Sequence, residues 1–242
     1  MKIRKDEITS SIVNRNFQAA AIFNYYGIDF FANGRRTLEH ACIDGNVSLA
    51  LLIEELSDLK EKGLNPDVEK MPLADLSDYI LRTHHAYAEK KLVFVKHTID
   101  RLSMEPGYQV SSTDALKNTF TELSVLLTVH MKYEEFILFP FIKKLPRQKP
   151  NISKSKGLEN SLGTMIDDHS RQVLLMRELV RLTNNYTLPP SADYALKITY
   201  QSLKELENDL KIHMHLENNV LSPRVIQLTH RAGVIFSKEF ED

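Results

Sequence analysis

A chain of 242 residues with a single cysteine, Cys42, cannot close an internal disulfide, nor build by itself a zinc or iron–sulfur site on thiolates. That scarcity suits a reducing compartment, and the expected location is the cytoplasm. Eight glycines and nine prolines are few for this length and gather at a handful of places, which argues against many short strands and for long helices. No stretch approaches the ~18 consecutive apolar residues of a membrane span, and MKIRKDEITSS carries no long apolar run behind its basic residues. A net charge of -1 supplies no field for nucleic acid or an anionic membrane. No nucleophile–base–orienter triad is visible, so no catalytic residue is assigned. What is present is 43% hydrophobic and 26% charged residues, the balance of a domain with a real core.

In chain order, Thr9-Ser10-Ser11 reads as a capping cluster for a helix over 9–27 that stops at Gly27. Thr37 caps a helix that ends at Gly45, and an amphipathic helix runs from Val47 to about Lys62 and stops at Gly63. These three short helices form an N-terminal domain over 1–63, and the proline-bearing GLNPDVEKMP supplies a linker over 64–72. Four longer helical patterns follow within 73–242, at about 74–104, 112–145, 159–186 and 191–229. MEPGYQVSS, PRQKPNISKSKG and TLPPS separate them, the first and last ending in serines suited to capping. Long helices with short connections predict an all-α protein whose main part is an antiparallel up-down four-helix bundle.

The chemistry gathers in LLTVHMKYEEFILFP, where His130 and Glu134 stand four residues apart, and again at His213 and Glu217 in KIHMHLENNVLSP. On a helix, positions i and i+4 share a face. The core stripes of the four helices read Leu81, His85, Ala88, Leu92, Val95, Ile99, Leu102; Phe120, Leu123, Leu127, His130, Glu134, Ile137, Phe141; Leu162, Ile166, His169, Val173, Met176, Val180; and Leu203, Leu206, Leu210, His213, Glu217, Val220. All are apolar except at four histidines and two glutamates. Counted from the loops at the rise of a helix, His85 lies level with His130 and Glu134 with His169, while His213 is offset from His169 by roughly 7 Å.

One histidine in a core is usually just hydrogen-bonded. A buried carboxylate is costlier, and two facing four imidazoles call for cations between them. Two bridging carboxylates and four imidazoles supply about eight bonds, against the twelve or so of two octahedral ions. A solvent-derived oxo or hydroxo bridge and open positions make up the rest. This ligation suits two iron ions, with manganese and zinc behind, able to meet dioxygen, nitric oxide or peroxide. Glu135, Asp168 and Asp209 are candidates to support ligand imidazoles, and His215 is read as either a support or a surface residue. Tyr87 and Tyr133 are read as packing, as is Cys42.

THHAYAEKKL, HMKYEEFILFP, DDHSRQVL and HMHLENNVLSPR together resemble the iron–sulfur cluster repair di-iron proteins, the Repair of Iron Centres family, whose bundle is hemerythrin-like (HHE type). YYGIDFFANGRRTLEHAC resembles the ScdA-type domain that precedes that bundle. The resemblance implies the metal ligands His85, His130, Glu134, His169, His213 and Glu217, the same six; between adjacent His84 and His85, the stripe favours His85. The family's N-terminal domain usually carries a Cys-Cys pair where this chain has Phe31 and Ala32, with a glycine in place of Asn33. Thiol chemistry at those positions is therefore absent here, and the N-terminal unit is expected to dock partners.

The resemblance implies repair of clusters damaged by nitrosative or oxidative stress. The partners would be damaged iron–sulfur proteins or apo-clusters, with nitric oxide or dioxygen as small ligand, no nucleic acid and no membrane. Alternatives are a carrier or sensor of dioxygen or nitric oxide, and a nitric oxide or peroxide reductase. Whether the protein is an enzyme, and whether it forms a homodimer, stay open.

Overall fold

The computed structural model describes residues 2–32, 34–59, 66–104, 110–145 and 152–231. The described residues divide into two compact units, one within 1–77 and 211–233 and one within 78–210.

In the first unit, α1 (Thr9–Arg15), α2 (Gln18–Tyr25), α3 (Leu38–Gly45) and α4 (Leu49–Asp58) are short. The single helix expected over 9–27 is two. Asn16 leaves the helical region (φ -154, ψ 106) and its side-chain oxygen accepts from the Gln18 amide at 2.9 Å, the competition with helical geometry that favours asparagine at helix ends. The expected Thr9-Ser10-Ser11 cap is absent. Thr9 and Ser10 lie inside α1, where the Thr9 hydroxyl and the Ser10 amide both donate to the Gly34 carbonyl. Gly27, at φ 69, closes α2 and lets the Ile28 amide reach back to the Phe23 carbonyl at 2.8 Å, a left-handed position that costs glycine little. Thr37 caps α3 by accepting from the His40 amide. The expected stop at Gly63 and the residue Asn33 lie outside the described residues.

The longer helices begin with α5, which runs Leu73–Ile80, winds one π-helical turn at Leu81–His85 and continues Ala86–Leu102. Next, α6 runs Val110–Tyr133, widens at Glu134–Leu138 and ends Phe139–Lys144. A plain α-helix, α7, spans Ile152–Leu182. Last, α8 runs Tyr194–His215, widens at Leu216–Leu221 and continues Ser222–Arg231. The side chains of Ser111 and Ser112, expected to cap α6, lie outside the described residues. Asp193, not Ser191, caps α8, accepting from the Leu196 amide at 2.8 Å.

Ion pairs and hydrogen bonds give the helix directions in the second unit. Asp100 pairs with Lys117 and Glu89 with Lys132, so α5 and α6 run antiparallel. Tyr133 meets Ser161 and His130 meets Asp168, which sets α7 against α6. Lys91 pairs with Glu205 and His84 with Asp209, which sets α8 against α5. The all-α bundle expected from the loop pattern is the observed architecture. Among the described residues no helix is long and apolar enough to cross a membrane.

The π-turns correct the predicted stripes. A π-turn holds one residue more than an α-turn, so the inward face slips by one position across it. Beyond Glu134 the buried residues are Leu138, Phe139 and Ile142, whereas the predicted Ile137 is 52% exposed. Before His85 the core residue is Ile80, not Leu81. In α7, which has no π-turn, the slip has another cause: steps of three and of four both connect Leu162 to His169, and the helix buries Met165 and Leu179 in place of Ile166 and Val180.

Candidate metal centre

Three of the six expected ligands lie in or at the edge of a π-turn: His85 ends the first, Glu134 begins the second and Glu217 lies in the third. A π-turn is a local defect that survives where surrounding packing favours it, often at functional sites. All six side chains are at most 3% exposed. The i,i+4 pairs meet as the helical spacing requires, with Nε2 of His213 2.8 Å from an oxygen of Glu217 and Nε2 of His130 3.4 Å from an oxygen of Glu134. The same Glu134 oxygen lies 3.3 Å from Nε2 of His85. The Nε2 atoms of His130 and His169 are 3.2 Å apart.

Ligand atoms of His85, Glu134, His213 and Glu217 all lie within 4.8 Å of one another, and so do those of His130, Glu134, His169 and Glu217. Both glutamates belong to both groups. His169 and His213 fall in different groups, so the offset estimated between them from sequence is no obstacle. The donor set fits metal: water-poor, rich in lone pairs, and composed of imidazole and carboxylate.

The hemerythrin HHE cation binding domain matches residues 76–225. This chain belongs to the hemerythrin HHE family. ScdA_N, a domain of unknown function, matches residues 5–67. The iron-sulfur cluster repair protein YtfE of Escherichia coli (strain K12 / DH10B) is 30% identical over 212 residues, 86% of this chain and 91% of its own length. YtfE of Shigella boydii serotype 4 (strain Sb227) gives the same figures, and YtfE of Escherichia coli O157:H7 is 30% identical over 209 residues. The resemblance to the cluster-repair proteins therefore extends along most of the chain.

Around the HHE side chains, the acids singled out from sequence divide. Glu135 accepts from Nδ1 of His85 at 3.0 Å, which leaves Nε2 to face inward. This is the usual way a carboxylate fixes the tautomer of a metal-facing histidine. Burial raises the Glu135 carboxyl, but Lys132 and His85 outweigh it and hold the group below its ordinary value. Asp168 stands 3.6 Å from Nδ1 of His130, and that histidine holds its carboxyl low against burial. Asp209 serves not a grouped histidine but His84, at 2.9 Å from its Nδ1. His84 is buried too, edge-on to Tyr79 at 5.9 Å, and lies in neither group. Burial first, then the Asp209 charge, raise the Tyr79 and Tyr87 phenols.

His215 is no surface residue. It is fully buried in the first unit, with Nε2 2.8 Å from Asn14 Oδ1 and Nδ1 3.2 Å from the Phe30 carbonyl; burial pushes it down to about 4. Cys42 is buried and its thiol is pushed up by burial, so it is a packing residue and not a reactive thiolate. Sequence reasoning missed Lys132, Asn218 and Asn219. Two consecutive asparagines inside a helix were a signal, since asparagine is a weak helix former whose amide prefers a nearby backbone partner.

Proposed function

We propose that this chain holds two iron ions bridged by Glu134 and Glu217, with His85 and His213 on one ion and His130 and His169 on the other. The observation that carries this reading is that the two four-residue groups share both carboxylates. The bundle over 73–242 would hold the iron, joined by a linker at 64–72 to the domain over 1–63. Six protein ligands leave positions for a solvent-derived bridge and a small molecule. When bound, such a pair supplies a redox-active centre that can meet nitric oxide, dioxygen or peroxide. The protein's own part is to keep the six donors convergent and dry, with Glu135 and Asp168 turning imidazoles inward.

The cellular role we infer is repair of iron–sulfur clusters damaged by nitrosative or oxidative stress, in the cytoplasm, acting on damaged iron–sulfur proteins or apo-clusters. The similarity to YtfE along 86% of the chain supports it. The test is metal analysis with optical and Mössbauer spectra of protein from iron-replete cells, alongside His130→Ala and Glu217→Ala. About two irons per chain, lost in both variants, is the expected result for two ions sharing these ligands. No stoichiometric metal, or one zinc indifferent to both changes, would end this reading. Iron transfer to an apo-cluster protein then separates repair from reversible carriage, and turnover with an electron donor would mark a reductase.

A further inference from the structure

The third π-turn has support on the side of α8 away from its ligands. Successive α-helical residues rotate by about 100°, so Lys211, His215 and Asn219, spaced by four, line one face while His213 and Glu217 line another. That first face meets residues 28–32 and Gly34, and its side-chain nitrogens reach main-chain oxygens there. The Asp29 side chain accepts from the amides of Phe31 at 3.0 Å and Ala32 at 2.8 Å. On the α8 side, Asn219 Nδ2 donates to the Phe31 carbonyl at 2.9 Å and lies 3.4 Å from that of Phe30, while Asn218 Nδ2 donates to Phe31 at 3.3 Å. Phe30, fully buried, packs edge-on against His215 with centroids 5.8 Å apart. Lys211 donates to Asn24 Oδ1 at 3.1 Å and sits 5.9 Å over the Phe31 ring. Gly34 approaches so closely that an added Cβ would lie 2.8 Å from Asn219 Oδ1.

We propose that residues 28–32, with Gly34, are a latch on the Leu216–Leu221 π-turn, and that Asn219 is the positioning residue that closes it and thereby sets Glu217. A π-turn carries one residue too many for α-helical register, so an outside partner that bonds its residues can hold it in place. Asn219 sits in that turn, two residues from Glu217, and a single amide gathers the carbonyls of the facing loop. Because those bonds end on backbone oxygens, the latch does not depend on the side chains at 31 and 32. Its consequence for metal retention rests on the di-iron reading; its consequence for the turn itself does not.

The experiment is hydrogen exchange, resolved to peptides over 216–221 and over 134–138, on wild type, Asn219→Asp and Asn219→Ser, each metal-free and iron-loaded, with the rate of iron loss to a chelator measured in parallel. Asn219→Asp keeps shape but sets a carboxylate against two carbonyls; Asn219→Ser keeps a short polar group and guards against a variant that fails to fold. Expected is exchange about tenfold faster at 216–221, the scale of a lost buried hydrogen bond with its partners exposed, with 134–138 unchanged and iron loss accelerated. Unchanged exchange at 216–221, or equal acceleration at both turns, overturns the latch. If wild type holds no iron, the metal-free exchange still decides the latch, and only the di-iron reading falls.

Discussion

His130-Met131-Lys132-Tyr133-Glu134-Glu135-Phe136 and His213-Met214-His215-Leu216-Glu217-Asn218-Asn219 are the same device built twice and supported in opposite ways. In each, a histidine and a glutamate at i and i+4 face inward, the methionine after the histidine is fully buried, and a π-turn opens at or beside the glutamate. The residues between and after them diverge. On α6 they are charged: Glu135 holds His85, and Lys132 holds Glu135 at 2.7 Å and Glu89 at 2.6 Å. On α8 they are neutral: His215, Asn218 and Asn219 engage Asn14 and the carbonyls of 30 and 31. Phe136, the counterpart of Asn219, is 71% exposed. One copy meets a neighbouring histidine through charge, the other meets a facing loop through amides. A repeated His/Glu motif therefore says nothing of what supports it.

The largest effect that would sharpen this contrast is at Glu135. Its replacement by alanine removes both the acceptor that orients His85 and the charge that strengthens it as a donor, and loss of such a partner costs about 10- to 100-fold in metal affinity. Glu135→Gln retains an acceptor for the Nδ1 hydrogen and separates the two contributions. Titration with ferrous iron against a competing chelator should place Gln between wild type and Ala. Affinity unchanged in Glu135→Ala would mean that His85 is oriented by packing alone, and the electrostatic character assigned to the α6 copy would be lost.

Gly34 probes the other copy through stability. A methyl group there would lie 2.3 Å from the Phe30 carbonyl oxygen and 2.8 Å from both Asn219 Oδ1 and Ser10 Cβ, closer than side-chain carbons approach backbone. Overpacking of this kind costs about 1–3 kcal/mol, and urea denaturation of Gly34→Ala should show a loss in that range. A neutral substitution would mean that the chain around Gly34 yields freely, and that the amide-held copy is less fixed than its contacts imply.

These two supports differ in how far the sequence exposed them. The six inward residues and the helices that carry them were legible because burial of a polar side chain on an apolar stripe breaks a strong periodic pattern. Glu135 was legible as a candidate because it is an acid adjacent to an expected ligand position. The three π-turns were not, since each substitutes one residue of register for another without a composition of its own; Ile137, read as core, turned out exposed for that reason. Nor could the helical period locate the partners of Asn219, which lie about 190 residues earlier in the chain at Phe30 and Phe31. Local pattern specifies which face of a helix is buried, while the loop that will lean on its other face is a tertiary matter. The His84 and His85 ambiguity has the same origin: both are buried, and only the partners in three dimensions, Asp209 for one and Glu135 for the other, tell them apart.

The smallest effect expected is at Lys132, where the charged copy reaches solvent. Its side chain is 43% exposed, so its ion pairs are screened, and Lys132→Met should cost only about 0.2–1 kcal/mol at moderate salt. Its signature lies in pH. The Glu135 carboxyl is pushed up by burial, but Lys132 and His85 together hold it below the ordinary 4.5. A carboxyl depressed in the folded state contributes stability above its unfolded value, lost as pH falls through the folded one. Without Lys132, burial weighs more heavily, the Glu135 carboxyl rises, and the support for His85 is lost at a higher pH. Iron content followed through an acid titration should therefore fall earlier in Lys132→Met than in wild type. The Asn218→Ala variant on α8, where an amide stands at the position of Glu135, should leave the acid limb where it was. Coincident acid limbs for wild type and Lys132→Met would show that the lysine is a surface ornament and that Glu135 alone accounts for the charge at His85.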